Sequence, residues 1–359
     1  MTMAGTASFF LGASTPEGFH SLFSELYSPE QGWRLYIIKG GPGTGKSTLM
    51  KKIARECDRR GFFCERIFCS SDPKSLDAVI IPSLKISIAD GTAPHVLEPL
   101  YPGVSEKLVD LGQFRNDRLL QKNRDIIIEK TKENSFYHKK CTGFLYAARS
   151  CENDTASVVL PALKMGTLHK FSEKLAQLKL GSAEEPGGEI RRRLLRAYTS
   201  EGVRAFYDTY SELAEDSVAL YDSFGCASAV LLKVIALKAN EKGIGGFICH
   251  SPLFPDTNPE QLIFPSLSLG FTLKSKEDTL PAALSVDCMR FYDKAYLSRH
   301  KNRLAFNRRS RDEMLSGAVD ALKKAKAVHD ELEAFYIGAM DFDAMNEYSE
   351  KIIGEIFAG

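Results

Sequence analysis

The chain has 359 residues, 44% apolar and 26% charged, a balance that supports one large core or two medium ones and excludes disorder over its bulk. Lys plus Arg number 47 against 46 Asp plus Glu, a net charge of only +1, so bulk attraction to nucleic acid or an anionic membrane is not expected. No apolar run reaches the roughly 18 residues of a membrane span, and the eight cysteines include no Cys-x-x-Cys pair, which reads as reduced thiols of a cytoplasmic protein and not as a disulfide framework or zinc site.

The N-terminus carries no basic stretch before Phe9-Phe10-Leu11 and reads as a first strand, not a signal peptide. Residues 35–39 predict a strand that runs into Gly40-Gly41-Pro42-Gly43-Thr44-Gly45-Lys46-Ser47, a full match to G-x-x-x-x-G-K-[ST]. A helix over residues 46–60 follows, then strands over 65–69 and 85–90, the last rich in β-branched residues. Strands alternating with a helix predict a parallel sheet with βαβ crossovers. Residues 105–180 read as helical. Leu168, Phe171, Leu175 and Leu178 form one apolar helix face, and Leu120, Ile127, Cys141 and Ala148 fall on seven-residue steps, as in a long helix folded back on its neighbour.

The second half repeats the first. Thr15-Pro16-Glu17-Gly18 returns as Thr199-Ser200-Glu201-Gly202, Leu35-Tyr36 as Leu220-Tyr221, Ile81-Pro82-Ser83-Leu84 as Phe264-Pro265-Ser266-Leu267, and Phe171-Ser172-Glu173-Lys174 as Tyr348-Ser349-Glu350-Lys351. The order is kept and the spacing drifts by a few residues, as loop insertions produce. Leu315, Leu322, Leu332, Met345, Tyr348 and Ile352 repeat the helical stripes, read as hairpin core. Linker composition at residues 181–188 sets the expected boundary, giving a P-loop domain over 1–185 and a degenerate copy over 186–359.

The glycine loop predicts a phosphate cradle. Main-chain N–H groups of the loop and the positive end of the following helix would form the anion cradle, with Gly41, Pro42, Gly43, Thr44, Gly45, Lys46, Ser47 and Thr48 as the expected binding residues. Lys46 would reach the terminal phosphates and the Ser47 hydroxyl would ligate Mg²⁺. Asp90, at the end of an apolar strand, is the expected second magnesium ligand, or else a turn-starting residue before Gly91-Thr92. The usual base after that acid is missing, because residue 91 is glycine. Asp72 is read either as facing the γ-phosphate from the sheet edge or as an Asx turn before Pro73. His95 is read either as a phosphate sensor or as a structural loop histidine.

The second half carries Phe224-Gly225-Cys226-Ala227-Ser228 where the first has its loop, with Ser228 opposite Lys46, one glycine and no lysine. Its third strand ends in Leu273-Lys274-Ser275 in place of Asp90. The basic run over 299–311, and Arg191-Arg192-Arg193, are read as solvated helix faces, with an arginine supplied to the other half's phosphate, or contact with an acidic partner, as the alternative.

Phe10-to-Gly18, the loop over residues 39–48, Cys69-Ser70-Ser71-Asp72, Ile80-Ile81-Pro82 and Asp90-to-His95 resemble a family of uncharacterised bacterial ATP-binding proteins built as tandem P-loop halves. The resemblance implies a nucleotide, Mg²⁺ and a cytoplasmic setting. The expected fold is a P-loop NTPase-like α/β protein, three layers around a parallel sheet with helical hairpin additions, duplicated in tandem. The expected function is ATP hydrolysis at one site in the first half, with Lys46, Asp90 and Asp72 as the catalytic candidates. A kinase using Asp72 or Asp77 to orient an acceptor, and a non-catalytic ATP-binding regulatory module, are the alternatives. A protein or small-molecule partner is expected, without membrane or nucleic acid.

Overall fold

The computed structural model describes residues 5–181, 187–274 and 282–358. Of the linker expected at 181–188, residues 182–186 lie outside the described residues, as does Ser275.

The first half contains β1 (Thr6–Phe9), a hairpin of β2 (Gly12–Thr15) and β3 (Gly18–Ser21), β4 (Arg34–Lys39), α1 (Lys46–Arg60), β5 (Cys64–Phe68), β6 (Leu76–Ile81), β7 (Ile86–Asp90), β8 (Glu106–Asp110), α2 (Asp117–Lys122), α3 (Arg124–Val159) and α4 (Met165–Lys179). The second half runs β9 (Ile190–Arg193), hairpin β10 (Arg196–Thr199) and β11 (Gly202–Ala205), α5 (Tyr207–Leu213), β12 (Asp216–Tyr221), α6 (Cys226–Glu241), β13 (Gly246–His250), β14 (Pro259–Phe264), β15 (Leu269–Lys274), β16 (Leu284–Asp287), α7 (Lys294–Arg299), α8 (Lys301–Ile337) and α9 (Phe342–Phe357). Each half builds a six-stranded sheet, β1-β5-β6-β7-β4-β8 and β9-β13-β14-β15-β12-β16, in the same strand order. The likeness reaches single turns. Thr15 Oγ1 donates to Gly18 O at 2.9 Å and Thr199 Oγ1 donates to Gly202 O at 2.8 Å, closing the same hairpin in both halves.

Three expectations about the sheets need correction. The sheets are mixed, because β6 runs antiparallel to both β5 and β7, and β14 antiparallel to β13 and β15. The links on either side of β6 are too short for a parallel crossover, which needs about a dozen residues. Pro82-Ser83-Leu84 forms a 3-10 turn that Lys85 closes at φ 53°, and Pro265-Ser266-Leu267 with Ser268 at φ 45° repeats it. Second, residues 106–110 form an edge strand beside β4, not helix. Third, the long helices cover one face of each sheet, and the other faces meet each other with the short α5 (Tyr210, Leu213, Ala214) packed among them. Tyr36, Ile38, Val79 and Ile81 face α1, whereas Leu35, Ile37, Ala78 and Ile80 join a core shared with Leu194, Leu195, Phe247 and Ile263 of the second half. Phe10 and Leu194 exchange backbone hydrogen bonds of 2.8 and 3.0 Å at the centre of that junction.

The long helix α3 does not fold back on its sequence neighbour. It pairs antiparallel with α8, as shown by Asn134 on Ala325, Arg311 on Glu152 and Arg303 on Asp154. At 36 and 37 residues each helix is about 54 Å long and crosses from one sheet to the other. The last helix of each half therefore covers the opposite sheet. Met345, Ile352 and Ile356 of α9 pack with Leu49, Met50 and Ile53 of α1, while Leu168, Leu175 and Ala176 of α4 pack with Leu231, Leu232 and Ile235 of α6. Leu178, expected on the apolar face of α4, is 75% exposed.

Among the described residues no helix is long and apolar enough to cross a membrane, and all eight cysteines are free.

Candidate functional site

The loop from Gly40 to Gly45 leaves the end of β4 and turns into α1. Gly43 and Gly45 hold φ at 66° and 87°, left-handed values that non-glycine residues reach only with strain. Lys46 Nζ donates to Gly40 O at 3.0 Å and Gly41 O at 2.7 Å and lies 3.6 Å from Asp90 Oδ2. Asp90 ends β7, the strand parallel to β4, so the pair meets at the carboxyl edge of the sheet. Asp90 Oδ1 accepts from Thr92 N at 2.8 Å and Thr92 Oγ1 at 2.6 Å. Burial raises the Asp90 carboxyl above its ordinary range; Lys46 and Thr92 oppose the shift and nearby Asp77 adds to it. The Ser47 hydroxyl oxygen accepts from Leu76 N at 3.0 Å, fixing it beside the start of β6.

Asp72 lies on the rim. It closes a turn by accepting from Ser75 Oγ at 2.7 Å, and its Oδ1 is 3.9 Å from Lys326 Nζ. His95 and Asp77, read separately from the sequence, are in contact: His95 Nε2 and Asp77 Oδ2 are 3.0 Å apart and both side chains are buried. Gly41, Pro42, Gly43, Thr44, Gly45, Lys46, Ser47, Thr48, Asp72, Asp77, Asp90 and His95 all line one cleft of about 630 Å³.

The opposite wall of that cleft belongs to helices. Asn134 and His138 come from α3, and Lys326, His329 and Glu333 from α8 of the second half. Burial and the neighbouring His329 lower the His138 pKa, which favours the neutral imidazole. The loop is packed from the same side. A Cβ on Gly41 would stand 2.9 Å from the Tyr336 ring, and one on Gly45 would stand 2.7 Å from Met345 Cε. The sequence signal for this wall is slight: Lys326, His329 and Glu333 share one helical face with Leu322 and Ala325, a stripe that reads as core.

The second half has filled its own version of the site. Asp222 Oδ1 accepts from Phe224 N at 3.1 Å and Oδ2 from Ser228 N at 2.9 Å, while Tyr292 OH donates to Asp222 and accepts from Ala227 N. A carboxylate of the chain thus answers backbone N–H groups at the start of α6. Leu273 pairs with Leu220 in the register at which Asp90 pairs with Ile38, so an apolar side chain stands where the first half has its acid.

The run over 299–311 lies on helices with Arg299, Lys301, Arg308 and Arg309 exposed, as expected of a solvated face, whereas the other basic run departs from expectation. Arg191-Arg192-Arg193 is strand β9, and Arg193 is wholly buried, donating from Nε to Glu65 Oε2 at 2.7 Å across the junction of the halves. Arg303 and Arg311 reach acids of α3, and none of residues 299–311 lines the cleft.

The family model for nephrocystin 3, N-terminal, matches residues 19–162, from β3 to the end of α3. No curated protein and no solved structure gives a significant match to the chain.

Proposed function

We propose that the chain binds ATP with Mg²⁺ at one site in its first half and hydrolyses it. The observation that carries this reading is the meeting of Lys46 and Asp90 at 3.6 Å, with a glycine loop between a strand and a helix beside them. Loop amides and the positive end of α1 suit a phosphate chain, and Lys46 would exchange its loop carbonyls for phosphate oxygens. Ser47 and Asp90 offer hydroxyl and carboxylate oxygens, the donors magnesium prefers. The buried Asp90 carboxylate, raised as it is, would be stabilised by a cation. Bound magnesium would neutralise phosphate charge; the chain itself contributes positioning and fixed dipoles. Because α8 and α9 pack on the loop, a change of nucleotide would bear directly on the second half.

The depth of the cleft towards His138, Lys326 and His329 favours one second reading, transfer to a small-molecule hydroxyl held there. ADP formed only when a metabolite is added would select it; ADP formed in water alone selects hydrolysis.

Lys46→Ala tests the site itself. Charge-assisted hydrogen bonds contribute about 1.5–3 kcal/mol, so equilibrium ATP binding should weaken about 10–100-fold and turnover should vanish. Unchanged affinity and turnover would overturn the reading.

A further inference from the structure

Two buried side chains beside the loop have no part in that account. Asp77 stands at the start of β6 and His95 in the loop after β7. The antiparallel course of β6 brings its beginning, not its end, to the carboxyl edge where Lys46 and Asp90 meet. The His95 ring stacks on Phe23 with centroids 4.1 Å apart and receives Phe19 edge-on at 4.7 Å, so its orientation is fixed. Donation to an Asp77 carboxylate places a proton on Nε2, and in the neutral imidazole Nδ1 then keeps its lone pair. Nδ1 is buried and has no hydrogen-bond partner in the chain, although the ring lines the same cleft as Lys46 and Ser47. A buried acceptor left without a donor is destabilising, and such groups concentrate at sites of chemistry. A base oriented by a carboxylate is the arrangement that activates a hydroxyl for attack.

We propose that His95 is the general base for the attacking water and that Asp77 positions its ring and tautomer. This rests on the reading of the loop as an ATP site. As the water oxygen bonds to the terminal phosphorus, its proton passes to Nδ1 of His95. The bond from that phosphorus to the bridging oxygen breaks, and the electron pair stays on the ADP oxygen. The imidazolium is balanced by Asp77 until it returns the proton to solvent. The base missing after Asp90 is thereby supplied from the loop five residues on.

The test uses the full chain with ATP and Mg²⁺, measuring ATP affinity by equilibrium binding and kcat by steady-state ADP formation. His95→Gln and Asp77→Asn should each lower kcat about 10²-fold or more while leaving ATP affinity unchanged. The double variant should be no slower than the slower single one, because the two act as a unit. Wild-type kcat in either variant, additive losses, or ATP binding by the wild type without turnover would overturn the proposal. If His95→Gln fails to fold, Asp77→Asn carries the test, since its amide can donate to Nε2 and move the imidazole proton onto Nδ1. Failure of the underlying site reading is a different result: wild-type chain that binds no ATP.

Discussion

Glu65 and Arg193 join the halves through one buried ion pair whose side chains are both 0% exposed. Burial alone would raise the Glu65 carboxyl, but Arg193 and Arg191 together outweigh it and hold the pKa below its ordinary value. A carboxylate with a depressed pKa contributes stability above its unfolded value of about 4.3, and that contribution is lost as the pH falls through the lower folded value. Removing one partner of a buried pair costs about 3–5 kcal/mol, because the other charge stays buried and uncompensated. Glu65→Gln should therefore lower the unfolding free energy by about that amount at pH 7, read from urea denaturation. It should also flatten the loss of stability below pH 4. A variant that is as stable as the wild type and keeps its acid sensitivity would show that the junction does not depend on this pair.

At the scale of elements, the instructive comparison is between the two loop–helix units. The start of α1 is bare of side-chain caps, whereas the backbone N–H groups at the start of α6 are answered by Asp222 directly and by Tyr292. Asp222→Ala should destabilise the protein by about 1–2 kcal/mol, the usual effect of losing a cap, measured by urea unfolding. The same geometry predicts one ATP per chain in equilibrium dialysis; two would contradict it. The β4–loop–α1 unit and β7 were legible in the sequence because their glycines, lysine and β-branched run are local signals. The pairing of β6 was not, because Lys85 makes the left-handed turn that glycine usually marks. Once β6 is missed as an antiparallel strand, nothing brings Asp77 to His95, 18 residues away. The apolar steps of α3 showed that it is packed, but an apolar stripe does not name its partner. Lys326 and His329 lay hidden for that reason.

For the molecule as a whole, the repeat read from Thr15-Pro16-Glu17-Gly18 and its later copies does not mean two self-sufficient bodies. The crossing of α3 and α8 leaves α1 covered by a helix from the far end of the chain. Burying a side chain such as Met345, Ile352 or Ile356 contributes about 1.5–3 kcal/mol. The three together come to roughly 5–9 kcal/mol, comparable with the whole stability of a typical domain, about 5–15 kcal/mol. A fragment of residues 1–181 keeps the entire glycine loop, Asp90 and the Asp77–His95 pair, but loses α9, the α8 wall of the cleft and the partner for the apolar face of α4. Such a fragment should show no cooperative unfolding transition and no ATP binding. Co-expressed with residues 187–359, it should co-purify and regain both, because the missing helix is then supplied from the second fragment. A 1–181 fragment that is monomeric, unfolds cooperatively and binds ATP like the full chain would show that the exchange of helices is dispensable. Restoration only on co-expression would mean that the second half, though its own loop is closed by Asp222, is a structural part of the first half's site.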